Sequence, residues 1–248
     1  GIGRGAKIVG LRVLDEQGRG NASDVIAAFD WLLAHGADHG IQVVNLSLGK
    51  AVEESVVTDP LVQAAEAVWD AGFVVVASAG NYGRDGNFTI TSPGNSPKLI
   101  TVGSLTDEET EDFSDDYVSS YSSRGPTLID HYLKPDLLAP GNRLVAPMPA
   151  NAKMRADLPE RAPACGPSCS NRYLEISGTS MAAGVVSGAV ALMLTQDPNL
   201  LPDDIKARLM RSARPIGADP VEAGTGVLHI TAALAETGYI NGSAQSPH

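Results

Sequence analysis

One serine in this chain stands where a hydroxyl could do acyl-transfer chemistry. Ser180 lies in Gly178-Thr179-Ser180-Met181-Ala182, where a loop gives way to a helix that begins with small residues. At such a place the serine's own N–H is left unpaired by the helix, and the dipole favours negative charge beside it. Both features suit stabilising an oxyanion as the hydroxyl attacks a carbonyl. An ordinary helix-capping serine is the commoner meaning of such a position. The run is not Gly-x-Ser-x-Gly, so it is a poor match to the strained strand-to-helix turn that presents a hydrolase serine. Cys165 and Cys169 form the only cysteine pair. By spacing alone they are a small disulfide, half a metal site or two idle thiols. No matching Cys or His pair completes a four-ligand zinc site.

Certain elements must hold these residues. Lys7–Val13 reads as a short strand, apolar at Ile8, Val9, Leu11 and Val13. Ser23 is placed to cap a helix running to about Ala34, with Val25, Ile26, Phe29, Leu32 and Leu33 on one side. Ile41–Leu46 is nearly continuous in apolar residues, as in a strand buried on both faces. Asp59-Pro60 opens a helix to about Asp70, which Ala71-Gly72 ends. Phe73–Ala77 and Leu99–Val102 are further strands. The stretch from Asp107 to Glu175 is richer in Pro, Ser and Asp and holds short strands such as Val118–Ser122. Helices follow from Ser180 to about Thr195, from Pro202 to Ala213 and from Ile230 to Glu236. Strand alternating with helix predicts an α/β fold: three layers, a largely parallel sheet with helices on both faces, in a single domain over residues 1–248.

Six runs, in order, resemble the subtilisin-like serine peptidases. They are Gly5–Leu14, Val43-Val-Asn-Leu-Ser-Leu-Gly49, Val75-Val-Ala-Ser-Ala-Gly-Asn81, Tyr121-Ser-Ser-Arg-Gly-Pro126, Lys134-Pro-Asp-Leu-Leu-Ala-Pro-Gly141 and Ile176-Ser-Gly-Thr-Ser-Met-Ala-Ala183. Any one alone is weak; six in order are specific. The resemblance implies peptide-bond hydrolysis through an acyl-enzyme on Ser180. It implies that Asn81 donates its side-chain amide to the oxyanion, although Gly80-Asn81-Tyr82-Gly83 read alone is a turn. Ser47, Leu48 and Gly49 would pair with an extended substrate, and Ala79 and Gly80 would form the opposite wall. Thr179 joins the substrate-binding residues. Bare backbone at Gly49 and Gly80 lets another chain approach closely. Because these walls are small or apolar, an uncharged, apolar residue is expected just before the cleaved bond.

The chain departs from that family twice. No Asp-Ser/Thr-Gly run ends a strand and no His-Gly-Thr-His exists, so the family's Asp and His have no counterpart. His35, His39, His131, His229 and His248 all read as surface histidines. Gly184 stands four residues after the serine, where the family has Pro, which relaxes the first helical turn. Asp and His are therefore expected from a separate polypeptide or a removed N-terminal segment; otherwise the chain is a catalytically inactive, protease-derived domain that holds extended peptides. A second copy pairing across the gap is the other partner expected. In the family the Asp-bearing strand lies between those matching Lys7–Val13 and Ile41–Leu46. An empty slot there should be untenable, because each unpaired backbone group lining it would cost about 1–3 kcal/mol. Direct pairing of Lys7–Val13 with Ile41–Leu46 is the outcome expected of the chain by itself.

Composition limits the partners. With 43% hydrophobic and 19% charged residues the chain is globular. A net charge of −11 argues against nucleic acid. No apolar run is long enough to suggest a membrane span. A polypeptide substrate is expected, in an extracellular or periplasmic setting, and there the cysteine pair is best read as a disulfide. No cofactor is expected, and the sequence offers no support for a structural calcium ion.

Overall fold

Short runs of β-branched residues build the sheet. The computed structural model describes residues 2–163 and 172–248. Val43–Leu46 (β1), Val74–Ser78 (β2) and Ile100–Thr106 (β3) lie side by side and parallel, with Val43 opposite Val74 and Val76 opposite Ile100. Tyr117–Val118 (β4) pairs antiparallel with the end of β3, and Leu137–Pro140 (β5) pairs parallel with it. Leu144–Pro147 (β6) and Tyr173–Ile176 (β7) form a separate antiparallel ribbon.

Ala22–His35 (α1) and Pro60–Asp70 (α2) pack against each other, and α2 lies on β2. After the one-turn helix Lys153–Asp157 (α3), Thr179–Gln196 (α4) crosses β1, β2, β3 and β5. Pro202–Ser212 (α5), Pro220–Ala223 (α6) and Ile230–Ala235 (α7) complete the chain. One core joins Phe29 and Leu32 of α1, Leu61 and Val68 of α2, the sheet valines, and Ala182, Val186 and Val190 of α4. Burial of such side chains, roughly 1.5–3 kcal/mol each, is the main stabilising term. By length and composition α4 could cross a membrane; its buried alanines and valines instead occupy the core beneath the sheet. They are small enough for helix and sheet to pack closely.

Several expectations need correcting. Asn21, not Ser23, caps α1: its backbone is extended and its side-chain amide reaches Asp24 Oδ2 at 3.2 Å. β1 begins at Val43 and alternates in exposure, Val44 and Leu46 buried and Asn45 exposed, because it is an edge strand. β4 stops at Val118, and residues 119–122 turn under hydrogen bonds such as Ser122 N–H to Ser119 O. Lys7–Val13 forms no strand and pairs with nothing in the sheet. Ile8 is 92% exposed; only Leu11 and Val13 rest on the core. The sheet nonetheless keeps β1's outer side unpaired, so the argument against an open slot fails. It charged those backbone groups as buried, whereas at an edge they meet water at little cost.

Candidate active site

The parallel strands bring their carboxyl ends to one rim, the usual place for a site in such a sheet. β1 runs out into Ser47-Leu48-Gly49, and β2 into Ala79-Gly80-Asn81. The N-terminus of α4 delivers Thr179 and Ser180 between them. Ser47 Oγ donates to the Ser180 carbonyl at 2.9 Å, and Ser180 Oγ lies 3.5 Å from the Ser47 carbonyl. Ser180 is the second residue of α4, so its N–H has no intrahelical acceptor.

Asn81 is oriented by Thr179. The Thr179 N–H donates to Asn81 Oδ1 at 2.9 Å, and Thr179 Oγ1 lies 3.1 Å from the same oxygen. With its carbonyl oxygen engaged by Thr179, the Asn81 side chain has its amide nitrogen left as a donor. Thr179 Oγ1 also accepts from the Gly80 N–H at 3.2 Å. Thr179 is fully buried; its contacts are with Asn81 and Gly80, so it positions the donor rather than offering a surface to a ligand. Gly80 has φ +110°, a conformation that a side chain would strain. The unpaired Ser180 N–H and, joined to the neighbouring Thr179, the Asn81 side chain thus stand together at the head of α4, where free N–H groups suit an anionic oxygen.

The other side of Ser180 is open. Gly184, one turn along α4, is exposed, and a Cβ there would meet nothing within 4 Å. Asn45 and Ser187 face this space and bond each other, Ser187 Oγ donating to Asn45 Oδ1 at 3.0 Å, while Asn45 Nδ2 donates to Ser47 Oγ at 2.8 Å. Among the described residues no imidazole hydrogen-bonds Ser180. His35 and His39 pack on Trp31, His131 meets the edge of Phe88, and His248 lies on Tyr132. His229 caps α7, its Nδ1 accepting the Ala232 N–H at 3.1 Å.

Beneath the rim, residues 91–99 are braced by buried charge. Asp59 caps α2 through the Leu61 N–H at 2.9 Å, accepts Ser92 Oγ at 2.8 Å and pairs with Lys50 at 3.1 Å. Burial alone would raise its pKa; the Ser92 and Lys50 contacts overcome that and hold it low. Deeper, Asp136 is shared by two buried lysines, Lys134 at 2.7 Å and Lys206 at 3.3 Å. Ser246 donates to it at 2.6 Å. Lys134 and Lys206 both donate to the Leu99 carbonyl, and Lys206 also to that of Pro97. Burial, with the second ammonium, pushes Lys134 down to about 7. Burial opposes ionisation of Asp136, but its two cations and their hydrogen bonds keep it below the usual carboxylate range.

Sequence reading missed Asn45 and Ser187. The signal for Asn45 was there: a lone polar residue inside an apolar strand. Ser187 had none, since it matters only through a contact distant in sequence. Cys165 and Cys169 lie outside the described residues.

Comparison with known proteins supports the same reading. Residues 1–237 match the subtilase family. Serine protease AprX of Bacillus subtilis (strain 168) is 40% identical over 209 residues, covering 82% of this chain and 46% of that protein. An extracellular serine proteinase of a Thermus species (strain Rt41A) is 32% identical over 215 residues, covering 87% of this chain and 42% of that one. The chain thus spans less than half the length of these two relatives. Among solved structures, a cold-adapted subtilisin-like serine proteinase superposes with a TM-score of 0.65 at 29% identity, covering 92% of this chain and 67% of that one.

Proposed function

The chain belongs to the subtilase family, and we propose that it is the nucleophile-bearing part of a serine endopeptidase whose Asp and His are supplied by a segment outside residues 1–248. The observation that carries this is the head of α4: the unpaired Ser180 N–H beside the Asn81 side chain, whose oxygen Thr179 holds. In the proposed reaction Ser180 Oγ bonds to the scissile carbonyl carbon and passes its proton to the imported imidazole. The carbonyl oxygen becomes the oxyanion held by the two donors. Collapse breaks the C–N bond, the amine leaves with that proton, and water then hydrolyses the acyl-serine. The substrate is an extended polypeptide lying along Ser47–Gly49. A recess of about 400 Å³ beside Leu48 and Gly49, lined also by Leu14, Val25 and Leu61, offers room for one of its side chains.

The free outer side of β1 and the open space at Gly184 favour an added segment as the source of the base. A second copy pairing along β1 would cover the same edge but carries only the same five histidines, so it is a partner and not a source of the base; sedimentation of residues 1–248 would reveal it. An extracellular or periplasmic site of action belongs to the same proposal, and a relative named as extracellular supports it. The competing reading, a peptide-binding domain without catalysis, draws on one fact: among the described residues the Ser180 hydroxyl has only the Ser47 carbonyl as partner.

Labelling with a serine-reactive fluorophosphonate, alongside peptide cleavage, decides between them. The intact protein is expected to label at Ser180 and cleave. Residues 1–248 alone should be nearly inactive on peptides, turning over activated esters at best, since a site lacking a triad member retains only about 10³–10⁴ over water. An intact protein that binds extended peptides yet neither labels nor cleaves is a binding domain. Family-like cleavage by residues 1–248 alone would refute the need for an imported base.

A further inference from the structure

Residues 238–248 lie beyond the stretch that matches the subtilase family, yet they are tied down along their length. Arg208 Nε donates to the Gly238 carbonyl at 2.9 Å, and the Tyr239 hydroxyl donates to Asp197 at 2.7 Å. The first turn of α5 then holds two backbone groups: Asp204 accepts the Ile240 N–H and Asp203 the Ala244 N–H, both at 2.8 Å. The Ser246 N–H donates to the Pro97 carbonyl at 2.9 Å, and the Pro247 carbonyl accepts the Leu133 N–H at 2.7 Å. His248 lies on Tyr132, its Nδ1 3.0 Å from the Asp130 carbonyl.

Ser246, 3% exposed, is the one buried residue of this strap. No apolar side chain of residues 238–248 is fully buried, so hydrophobic burial does little to hold the strap down. What it inserts is a hydroxyl. Ser246 Oγ donates to Asp136 Oδ1 at 2.6 Å and accepts from Lys206 Nζ at 3.0 Å. It thus completes a buried cluster of one carboxylate and two ammonium groups, where a missing partner is costly. That cluster is joined to the cleft. Asp136 Oδ2 accepts the Thr101 N–H at 2.7 Å, and Thr101 Oγ1 donates to the Gly94 carbonyl at 2.6 Å. The turn around Gly94 is closed by the Asn95 N–H on the Thr91 carbonyl at 3.0 Å. From this turn the Thr91 N–H donates to the Ala79 carbonyl, and Ser92 and Lys50 exchange backbone hydrogen bonds. One continuous run of bonds therefore leads from Ser246 to both walls of the cleft.

We infer that residues 238–248 dock and release as a unit, and that Ser246 is a positioning residue for the cleft. Docked, its hydroxyl closes the Lys206–Asp136 cluster and the ties to residues 94–101 are taut. Released, the cluster loses a partner, water reaches Asp136 and those ties slacken. A segment with few buried apolar contacts opens at low free energy, so the strap can lift while the sheet stays folded. Docking and release thereby set how firmly the cleft holds a substrate. This last step rests on the proposed peptidase function; the coupling from strap to turn does not.

The test follows amide exchange and peptide cleavage in the intact protein, as wild type and two variants. Ser246→Ala removes the hydroxyl from the cluster. Asp203→Ala loosens the strap at α5 and leaves the cluster's own hydrogen bonds in place, so it keeps the test open if Ser246→Ala misfolds. Both are expected to speed exchange by about 10-fold at the Leu133 and Ser246 amides, and also at Asn95 and Ser96 in the turn, the worth of a hydrogen bond to a charged group. The β2 amides of Val75–Ala77 should not change. KM for an extended peptide should rise by about 3–10-fold with kcat little altered, because slack walls lose binding that substrate and transition state share. Faster exchange confined to the strap, an unchanged KM, or acceleration that spreads to β2 overturns the inference. If wild type cleaves no peptide, the peptidase function falls by itself, and exchange at Asn95 and Ser96 still decides whether the strap reaches the cleft.

Discussion

Ser180 has two flanks built to different standards. On the flank facing Asn81 each side chain is held by another. Thr179 clamps Asn81, residues 91–92 lock the walls together, and a fully buried cluster of Lys134, Asp136 and Lys206 holds the carbonyls of Pro97 and Leu99 below. On the flank facing Gly184 the sheet ends at β1, Lys7–Val13 lies off the sheet, and Ile8 projects into solvent. Opening free energies differ between such regions, large where buried contacts are dense and small where they are few. In the proposed site the Thr179–Asn81 flank is held by contacts within this fold, whereas the flank facing Gly184 depends on what covers β1.

The sharpest way to break the first flank is at its base. Asp136→Asn leaves two buried ammonium groups with no anion, and breaking a buried ion pair from one side costs about 3–5 kcal/mol. For a domain of this size that lowers the midpoint by on the order of 10 °C, which thermal unfolding followed by circular dichroism would register. The same cluster predicts a pH dependence. Lys134 releases its proton near 7 in the folded protein, while in the unfolded chain it keeps it to about 10.4. Between those values the unfolded state binds more protons, so this group makes stability rise with pH. Denaturant titrations at pH 7 and pH 9 should show the rise in wild type and its reduction in Lys134→Met. A flat profile in wild type would mean that Asp136 keeps both lysines charged.

A smaller effect is expected at the rim. Asn81→Ala removes one oxyanion donor, and loss of such an asparagine in a subtilisin costs about 10²–10³ in turnover. In the intact protein kcat should fall by that factor with KM little changed, because the donor acts on the transition state more than on the bound substrate. Its other consequence, the loss of the acceptor for the Thr179 N–H, should cost only about 1 kcal/mol of stability. A fall in KM-dependent binding with kcat intact would assign Asn81 to substrate anchoring instead.

The two flanks were also unequally legible in the sequence. Pro60 after Asp59, the valine run of β2 and the small-residue helix from Ser180 announced themselves locally, through a cap, a β-branched run and composition. The walls Ser47–Gly49 and Ala79–Asn81 came only through the family resemblance; read alone, Gly80-Asn81-Tyr82-Gly83 is a turn. β5, β6 and β7 left no local sign, because four-residue strands among prolines and loops carry too little periodicity. Lys7–Val13 was misread for a different reason. Its alternating apolar residues fit a strand, but strand formation needs a partner, and the sequence of a segment does not say whether one is present. The contact of Thr91 with both walls was invisible because the glycines it packs against, Gly49 and Gly80, lie about 40 and about 10 residues before it.

The smallest expected effect falls on the open flank, where it separates intact protein from residues 1–248. Ile8 is 92% exposed and touches no core cluster, so Ile8→Ser should leave the stability of residues 1–248 within about 0.5 kcal/mol. A fully exposed isoleucine gains nothing from burial and loses nothing on truncation. If an upstream segment lays a strand between Lys7–Val13 and β1, as proposed, the same side chain becomes available for cover, and burying an isoleucine is worth roughly 1.5–3 kcal/mol. Ile8→Ser should then cost the intact protein more than it costs residues 1–248, a difference that paired denaturant titrations would reveal. Equal, near-zero costs in both would place the imported base on a segment that docks elsewhere, against α4 at Gly184 rather than along Lys7–Val13. A large cost in residues 1–248 alone would show that Ile8 is already covered in solution, by a second copy, and a concentration-dependent midpoint would accompany it.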